Sequence, residues 1–286
     1  MFKPHKYLGQ NFLTDRSVAN QMVSALEIEN GDEIIEIGPG FGVLTEALLK
    51  EPKDKNVKIY AVEVDERLYK GLLERFSEEQ RTEFYNADIL KWLPQFSSLI
   101  SSGNSSRVSS HEDVKIIGSI PYYITSPIIH QIIKMEKRPK TAVLLVQKEV
   151  AEKIKNTAPD SSYLSSFVQT FFDVQYLGKV PSKKFNPEPE VDGGILKLVR
   201  REEGVFFDNA GSPPDFIKKY EGFLHKAYSN PRKMLNKVFK KEELEKGKID
   251  PHLRPQNLNA EEWLNFFKTL VPIFFSVIFF LIKANL

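Results

Sequence analysis

The chain has 286 residues, 41% hydrophobic and 27% charged, with a formal net charge of +2, which suits one large soluble α/β domain and a small appendage. It has no cysteine, which excludes a disulfide framework, a thiolate metal site and a cysteine nucleophile, and which fits a reducing, cytoplasmic setting. The five histidines, His5, His111, His130, His225 and His252, show no ligand spacing, so no metal is expected, and Met1–Tyr7 carries no apolar stretch of a signal peptide.

The first predicted element is a helix over Arg16–Leu26. It places Val18, Ala19, Met22, Val23 and Leu26 on one face, with Thr14 or Asp15 as N-cap. Short apolar runs follow at Glu33–Ile37, Lys58–Val64, Val114–Ile117 and Thr141–Gln147. Their near-continuous Ile, Val and Leu content predicts strands of a parallel sheet covered on both faces. Helical stretches over Phe41–Leu49 and Glu66–Phe76 alternate with the first strands, and that alternation predicts a doubly wound sheet. Residues 97–110 are rich in serine and read as a surface loop inserted before the Val114 strand. Later, Val168–Leu177 and Ile195–Val199 read as strands joined by the proline-rich stretch 181–189, an antiparallel pair at one sheet edge.

A boundary near Arg201 divides the chain into a domain over 1–201, a helical domain over 202–270 and a hydrophobic tail over 271–286. Residues 218–248 hold ten Lys and Arg against four Glu, a local +6 that leaves −4 for the rest. Such a segment suits a polyanion, or else a solvated face with balancing charges nearby. From Thr269 to Ile282 fourteen residues carry no charge. As a helix they would span about 21 Å, short of the roughly 30 Å of a bilayer core. The tail is expected to pack on the protein or to be dispensable rather than to contact a membrane.

Gly38, Gly40 and Gly42 form a GxGxG turn straight after the first sheet strand, where a Cβ would block a nucleotide ligand. A dinucleotide fingerprint would place glycine at Val43. Glu36 lies just before the turn, and acids suit the sulfonium and amino ends of S-adenosylmethionine (SAM) better than they suit a pyrophosphate. Glu63, ending the second strand, is placed to accept both ribose hydroxyls. Asp88, ending the next candidate strand, is placed to accept from the adenine amino group, whereas Asp65 reads as a helix cap. Ser119-Ile120-Pro121-Tyr122 ends another strand. Its serine hydroxyl and the Ile120 carbonyl could accept the two N–H groups of an adenine N6. Pro121 would stiffen the turn, and Tyr122 could stack on the base. A base reaches such a pocket only when flipped or single-stranded. Taken alone, the four residues also fit a plain strand-end turn.

With these motifs and several more, the chain resembles the KsgA/RsmA rRNA adenine N6,N6-dimethyltransferases. The others are Gly9-Gln10-Asn11-Phe12-Leu13, Gln147-Lys148-Glu149-Val150, the run from Val180 through Phe185 to Asp192, Ala227 to Lys233, and Leu253-Arg254-Pro255. The resemblance covers about residues 5–270. It implies a class I SAM-dependent methyltransferase fold, Rossmann-like, with an antiparallel edge pair and a small helical C-terminal domain. It implies a monomer with SAM as cofactor, acting on the immature small ribosomal subunit by dimethylating two adjacent adenosines near the 3′ end of its rRNA. By position, Asn11, Leu13, Gly38, Gly40, Glu63, Asp88 and Ser119 would contact SAM. Tyr122 and Phe185 would hold the adenine beside Ser119, Ile120 and Pro121. Arg232, Lys233 and Lys237 would contact RNA.

The chain departs from the family pattern in three places. Ser119 stands where asparagine is usual, the serine-rich insertion is extra, and the tail after about 270 has no counterpart. An Erm-type enzyme of large-subunit rRNA shares the glycine and Pro-Tyr motifs. A ribosome-assembly factor with feeble catalysis is the reading that Ser119 motivates.

Overall fold

The computed structural model describes residues 10–101, 114–201 and 214–271, and these divide into two compact units. The first holds the described residues up to Lys155 and those from Phe171 to 201. The second holds Asn156–Thr170 and the described residues from 214 onward.

The first unit is built on a seven-stranded sheet. Its strands are β2 (Glu33–Ile37), β3 (Lys58–Glu63), β4 (Thr82–Asn86), β5 (Val114–Ser119), β6 (Thr141–Gln147), β7 (Phe172–Val180) and β9 (Gly193–Arg200), in the order β4-β3-β2-β5-β6-β9-β7. The five from β4 to β6 run parallel, and β9 is antiparallel to both β6 and β7. A separate two-residue ladder pairs β1 (Phe12–Leu13) with β8 (Phe185–Asn186). Every residue of β2 is buried, as are all of β5 and β6 except the last of each. Successive side chains point to opposite faces, so both faces of these strands are covered.

Helices α1 (Arg16–Ala25), α2 (Val43–Leu48), α3 (Glu66–Arg75), α4 (Ile89–Ser101), α5 (Thr125–Lys134) and α6 (Lys148–Lys155) follow in chain order. Asp15 caps α1 by accepting from the Ser17 and Val18 amides, and Val18, Ala19, Met22 and Val23 face inward. Two buried lysines of the sheet are paired. Lys115, 1% exposed, sits 2.6 Å from Asp32 and also donates to the Glu27 carbonyl, while Lys197 reaches Glu27 at 2.7 Å.

The second unit contains α7 (Tyr163–Phe171) up to Thr170, α8 (Pro214–Ala227), α9 (Lys241–Gly247) and α10 (Ala260–Leu270). Tyr220, Phe223, Phe239, Trp263, Phe266 and Phe267 make its aromatic core, with ring centroids 5.0–6.4 Å apart. Tyr228 is its polar centre. Its hydroxyl meets Ser161 Oγ at 3.0 Å and Ser166 Oγ at 2.8 Å, and accepts from Trp263 Nε1 at 3.1 Å. Among the described residues no helix is long and apolar enough to cross a membrane.

Three expectations differ from what is observed. Residues 168–171 are helical, and the strand begins only at Phe172. Ser162 and Ser165 exchange side-chain-to-amide bonds at 2.7 and 3.1 Å, an N-terminal cap that starts a helix. Phe167 and Phe171 then lie one turn apart, both buried. Residues 97–101 belong to α4 rather than to a loop, and Ser97 accepts the Glu136 amide at 3.0 Å. The rest of the serine-rich segment, from 102, lies outside the described residues, as does the tail from 272. Finally, a division at 201 keeps 156–170 with the first domain, whereas the compact units group it with the second. Ser161 also donates to the Gln256 and Leu258 carbonyls, and Thr170 bonds Tyr220, all within the helical unit.

Candidate active site

The parallel strands end together at one edge of the sheet, where open α/β sheets bind ligands. Beyond β2 the chain turns at Gly38 (φ +64°) and Gly40 (φ +59°). These are left-handed conformations that a side chain would strain. A Cβ on Gly38 would meet nothing within 4 Å, so the turn faces open space there. A Cβ on Gly40 would lie 2.9 Å from the Phe12 ring. The Gly40 amide donates to Glu63 Oε2 at 3.1 Å, and the Asp65 amide donates to Glu63 Oε1 at 2.9 Å. Glu63 is therefore held from both sides at the end of β3. Burial raises its pKa, and those two amides work against the rise.

The neighbouring acids have distinct roles. Asp65 caps α3 and accepts from Gln10 Nε2 at 3.0 Å, consistent with the cap reading. Asp88 lies two residues past β4. Its Oδ1 accepts the Leu90 amide at 2.9 Å, and its Oδ2 has no partner among the described residues. Glu36 is fully buried in β2, where Thr45 Oγ1 donates to Oε2 at 2.7 Å and Oε1 has no partner. Burial pushes its pKa up to about 8. Burial therefore favours its protonated form. The other acids near the turn are Glu63, at the end of β3, and Asp88, two residues past β4.

On the other side of β2, Gly118 of β5 pairs with Ile37, and a Cβ there would lie 2.7 Å from the Ile37 carbonyl. This close approach sets Ser119 beside the glycine turn. Ser119 pairs with Leu145 of β6, and the Ile120 amide donates to the Leu145 carbonyl at 2.9 Å. Pro121 then starts a single 3-10 turn over Tyr122–Ile124. Ile120 is buried, Ser119 is partly exposed, and Ser119 Oγ has no partner among the described residues. The Tyr122 hydroxyl is buried without a hydrogen bond, and burial followed by the Asp192 charge raises its pKa.

Phe185 reaches the same region from β8. Its ring lies 3.2 Å from where a Cβ on Gly193 would stand, and Gly193 pairs with Gln147 at the end of β6. Leu13 pairs with Phe185. The Thr14 amide and hydroxyl both donate to the Lys184 carbonyl at 2.9 Å, and Lys184 forms an ion pair with Asp15. The ladder thus joins the segment holding Asn11 and Leu13 to the one holding Phe185. Asn11, Leu13, Gly38, Gly40, Glu63, Asp88, Ser119, Ile120, Pro121, Tyr122 and Phe185 all lie in the first unit.

Sequence reasoning missed Gln10, Thr45 and Asp192. Gln10 and Asp192 lie within motifs already noted, but only the fold shows what they touch.

Arg232, Lys233 and Lys237 belong to the second unit and are exposed, with no ion pair among the described residues. Buried Leu235, whose amide donates to the Leu253 carbonyl at 2.8 Å, anchors this segment. By contrast Lys219, Lys226 and Lys241 pair with Asp215, Glu243 and Glu245, so part of the basic stretch is locally balanced. Among the described residues no group of three His, Asp or Glu is placed to hold a metal ion.

Known proteins match this chain over nearly its full length. The profile of the ribosomal RNA adenine dimethylase family matches residues 1–271. Ribosomal RNA small subunit methyltransferase A of a Sulfurihydrogenibium species is 34% identical over 93% of this chain and 95% of its own. The protein of the same name from Mycoplasmopsis pulmonis is 35% identical over 93% and 98%. Among solved structures, a dimethyladenosine transferase from Plasmodium falciparum aligns with a TM-score of 0.69 and 25% identity, over 89% of this chain and 95% of that one. The 23S rRNA methyltransferase ErmE aligns with a TM-score of 0.65 and 24% identity, over 91% and 99%, a likeness of fold. The parallel sheet with its antiparallel edge is the class I SAM-dependent methyltransferase fold. By its family profile and its full-length relatives, the chain belongs to the ribosomal RNA adenine dimethylase family.

Proposed function

We propose that the protein transfers methyl groups from SAM to the N6 atoms of two adjacent adenosines near the 3′ end of small-subunit rRNA. The observation that carries this reading is one of adjacency. The Gly40–Glu63 turn and the Ser119–Tyr122 turn end neighbouring strands of one sheet. The names of the full-length relatives support the small subunit as substrate.

The residues present fit SAM. The turn is open at Gly38, Glu63 is fixed to accept ribose hydroxyls, and Asp88 Oδ2 is available to the adenine amino group. Asn11 and Leu13 would complete this side. Bound SAM supplies an electrophilic methyl on its sulfonium. Ser119 Oγ and the Ile120 carbonyl would accept the N–H bonds of the target amine. That favours pyramidal nitrogen and directs its lone pair. No strong base is needed, because the proton becomes acidic only after transfer. Tyr122 and Phe185 would hold the flipped base by stacking, with Pro121 fixing the turn. In the helical unit, Arg232, Lys233 and Lys237 would contact phosphates.

The test is transfer of labelled methyl from SAM to purified unmethylated small subunits, with large-subunit RNA alongside. Dimethyladenosine in small subunits alone is expected. Label on large-subunit RNA would move the protein to the Erm activity, and binding without transfer would favour an assembly factor.

A further inference from the structure

Beside the adenosine-holding residues lies a cavity of about 330 Å³, lined by Gln147, Lys148, Glu149, Glu190, Val191 and Asp192. That size falls within the range of about 300–1,000 Å³ usual for small-ligand clefts. No part of the reading above uses it.

We propose that this cavity receives the base of a nucleotide adjoining the target adenosine in the same RNA strand, and holds it by an exocyclic amino group. The proposal rests on the adenine-methylating reading and extends it to the neighbouring nucleotide.

The placement comes from the sheet. Gln147 lies two residues past Leu145, the partner of Ser119, and opposite Gly193, against which the Phe185 ring packs. Asp192 forms one wall, and its charge acts on the Tyr122 hydroxyl. The Phe185 ring thus packs on Gly193, which adjoins Asp192 in the chain and faces Gln147 across the ladder, so the cavity lies next to Phe185, as the sites for successive bases of one strand must.

The chemistry comes from the lining. Asp192 is already engaged, since Oδ1 accepts the Ser182 amide at 2.9 Å and Oδ2 pairs with Lys179 at 3.2 Å. Its carbonyl accepts the Lys148 amide at 3.0 Å. Glu149 and Glu190 are exposed and take no partner among the described residues. Between them Val191 presents an apolar surface that is 39% exposed. Lys148 of the same lining pairs with Glu152 at 3.6 Å, so the two unused carboxylates set the local charge and would repel a phosphate. Beside an apolar wall they suit a flat ring that brings N–H donors. Adenine, cytosine and guanine meet that requirement, and uracil has no amino group.

The test uses small subunits reconstituted with rRNA in which the nucleotide on one or the other side of a methylated adenosine carries unsubstituted purine. For a purine nucleotide that base keeps the ring and lacks the amino group, and a cytosine is replaced by 2-pyrimidinone to the same end. With the wild-type protein, kcat/KM for the remaining adenosine should fall roughly tenfold for one of the two flanks, the loss of about one hydrogen bond to a charged acceptor. The double variant Glu149→Ala, Glu190→Ala, which removes both acceptors, should still bind SAM but treat substituted and unsubstituted particles alike. Equal rates for all flanks, or discrimination kept by the double variant, would overturn the proposal. Wild-type protein that leaves unsubstituted particles unmethylated would overturn the underlying reading, and the cavity's role with it.

Discussion

The Gly40 amide donates to Glu63 Oε2 at 3.1 Å, so the turn after β2 and the acid that ends β3 form one hydrogen-bonded unit. The carboxylate that would meet a ribose is thereby fixed before any ligand arrives. Replacing Glu63 by alanine removes the acceptor and releases the turn. SAM affinity is expected to fall about 10- to 100-fold, the scale of a hydrogen bond to a charged group. Calorimetry giving an unchanged dissociation constant would remove Glu63 from the cofactor site.

Glu36 makes stability depend on pH. Burial raises its folded pKa from the ordinary 4.5 to about 8. The folded state then holds a proton that the unfolded state has released between those values. Its contribution is full below about pH 4.5 and is lost as pH rises towards 8. A Glu36→Gln variant lacks this loss. Its unfolding midpoint relative to wild type should climb between pH 5 and pH 8. A constant difference across that window would show that Glu36 is ionised in the folded protein.

Tyr228 gathers Ser161, Ser166 and Trp263 on one hydroxyl. Tyr228→Phe keeps the ring and takes the Tyr228 partner from Trp263 Nε1 and Ser166 Oγ, while Ser161 keeps its bonds to the Gln256 and Leu258 carbonyls. A cost of about 1–3 kcal/mol is expected, seen as a lower midpoint in urea. An unaltered midpoint would mean that water replaces the hydroxyl.

Arg232 and Lys233 are exposed cations with no ion pair among the described residues. Neutralising both should weaken RNA binding and flatten its dependence on salt. The slope of log affinity against log salt should lose about 1.5, the share of two phosphate contacts. A slope equal to wild type would place RNA elsewhere.

The strands were legible where chemistry is local. Continuous Ile and Val marked β2, β3, β5 and β6, and Asp15 ahead of an apolar face marked the start of α1. The start of α7 was hidden because Phe, Val and Thr also favour strands, and only the Ser162–Ser165 cap decides between the two. The β1–β8 ladder is two residues long, too short to leave a period in the sequence. The glycines and Glu63 could be placed from spacing. The raised pKa of Glu36 could not, because it follows from burial that only the assembled sheet provides. The link from Ser161 to Tyr228 spans sixty-seven positions and leaves no local trace.

The chain leaves the first unit after Lys155 and comes back at Phe171 before its last two sheet strands are laid down. During synthesis the excursion therefore emerges ahead of Tyr220, Tyr228 and Trp263, the residues that shelter it. Until they follow, Phe167 lacks the Tyr220 ring, and the hydroxyls of Ser161, Ser166 and Thr170 lack their tyrosine partners. A gene fragment that stops at 201 would freeze this unfinished stage as its end product. It would carry an intact-looking sheet and a sticky helix, and it would be prone to aggregate. A separable catalytic fragment would have to replace the 156–170 excursion with a short link as well as remove the C-terminal helices.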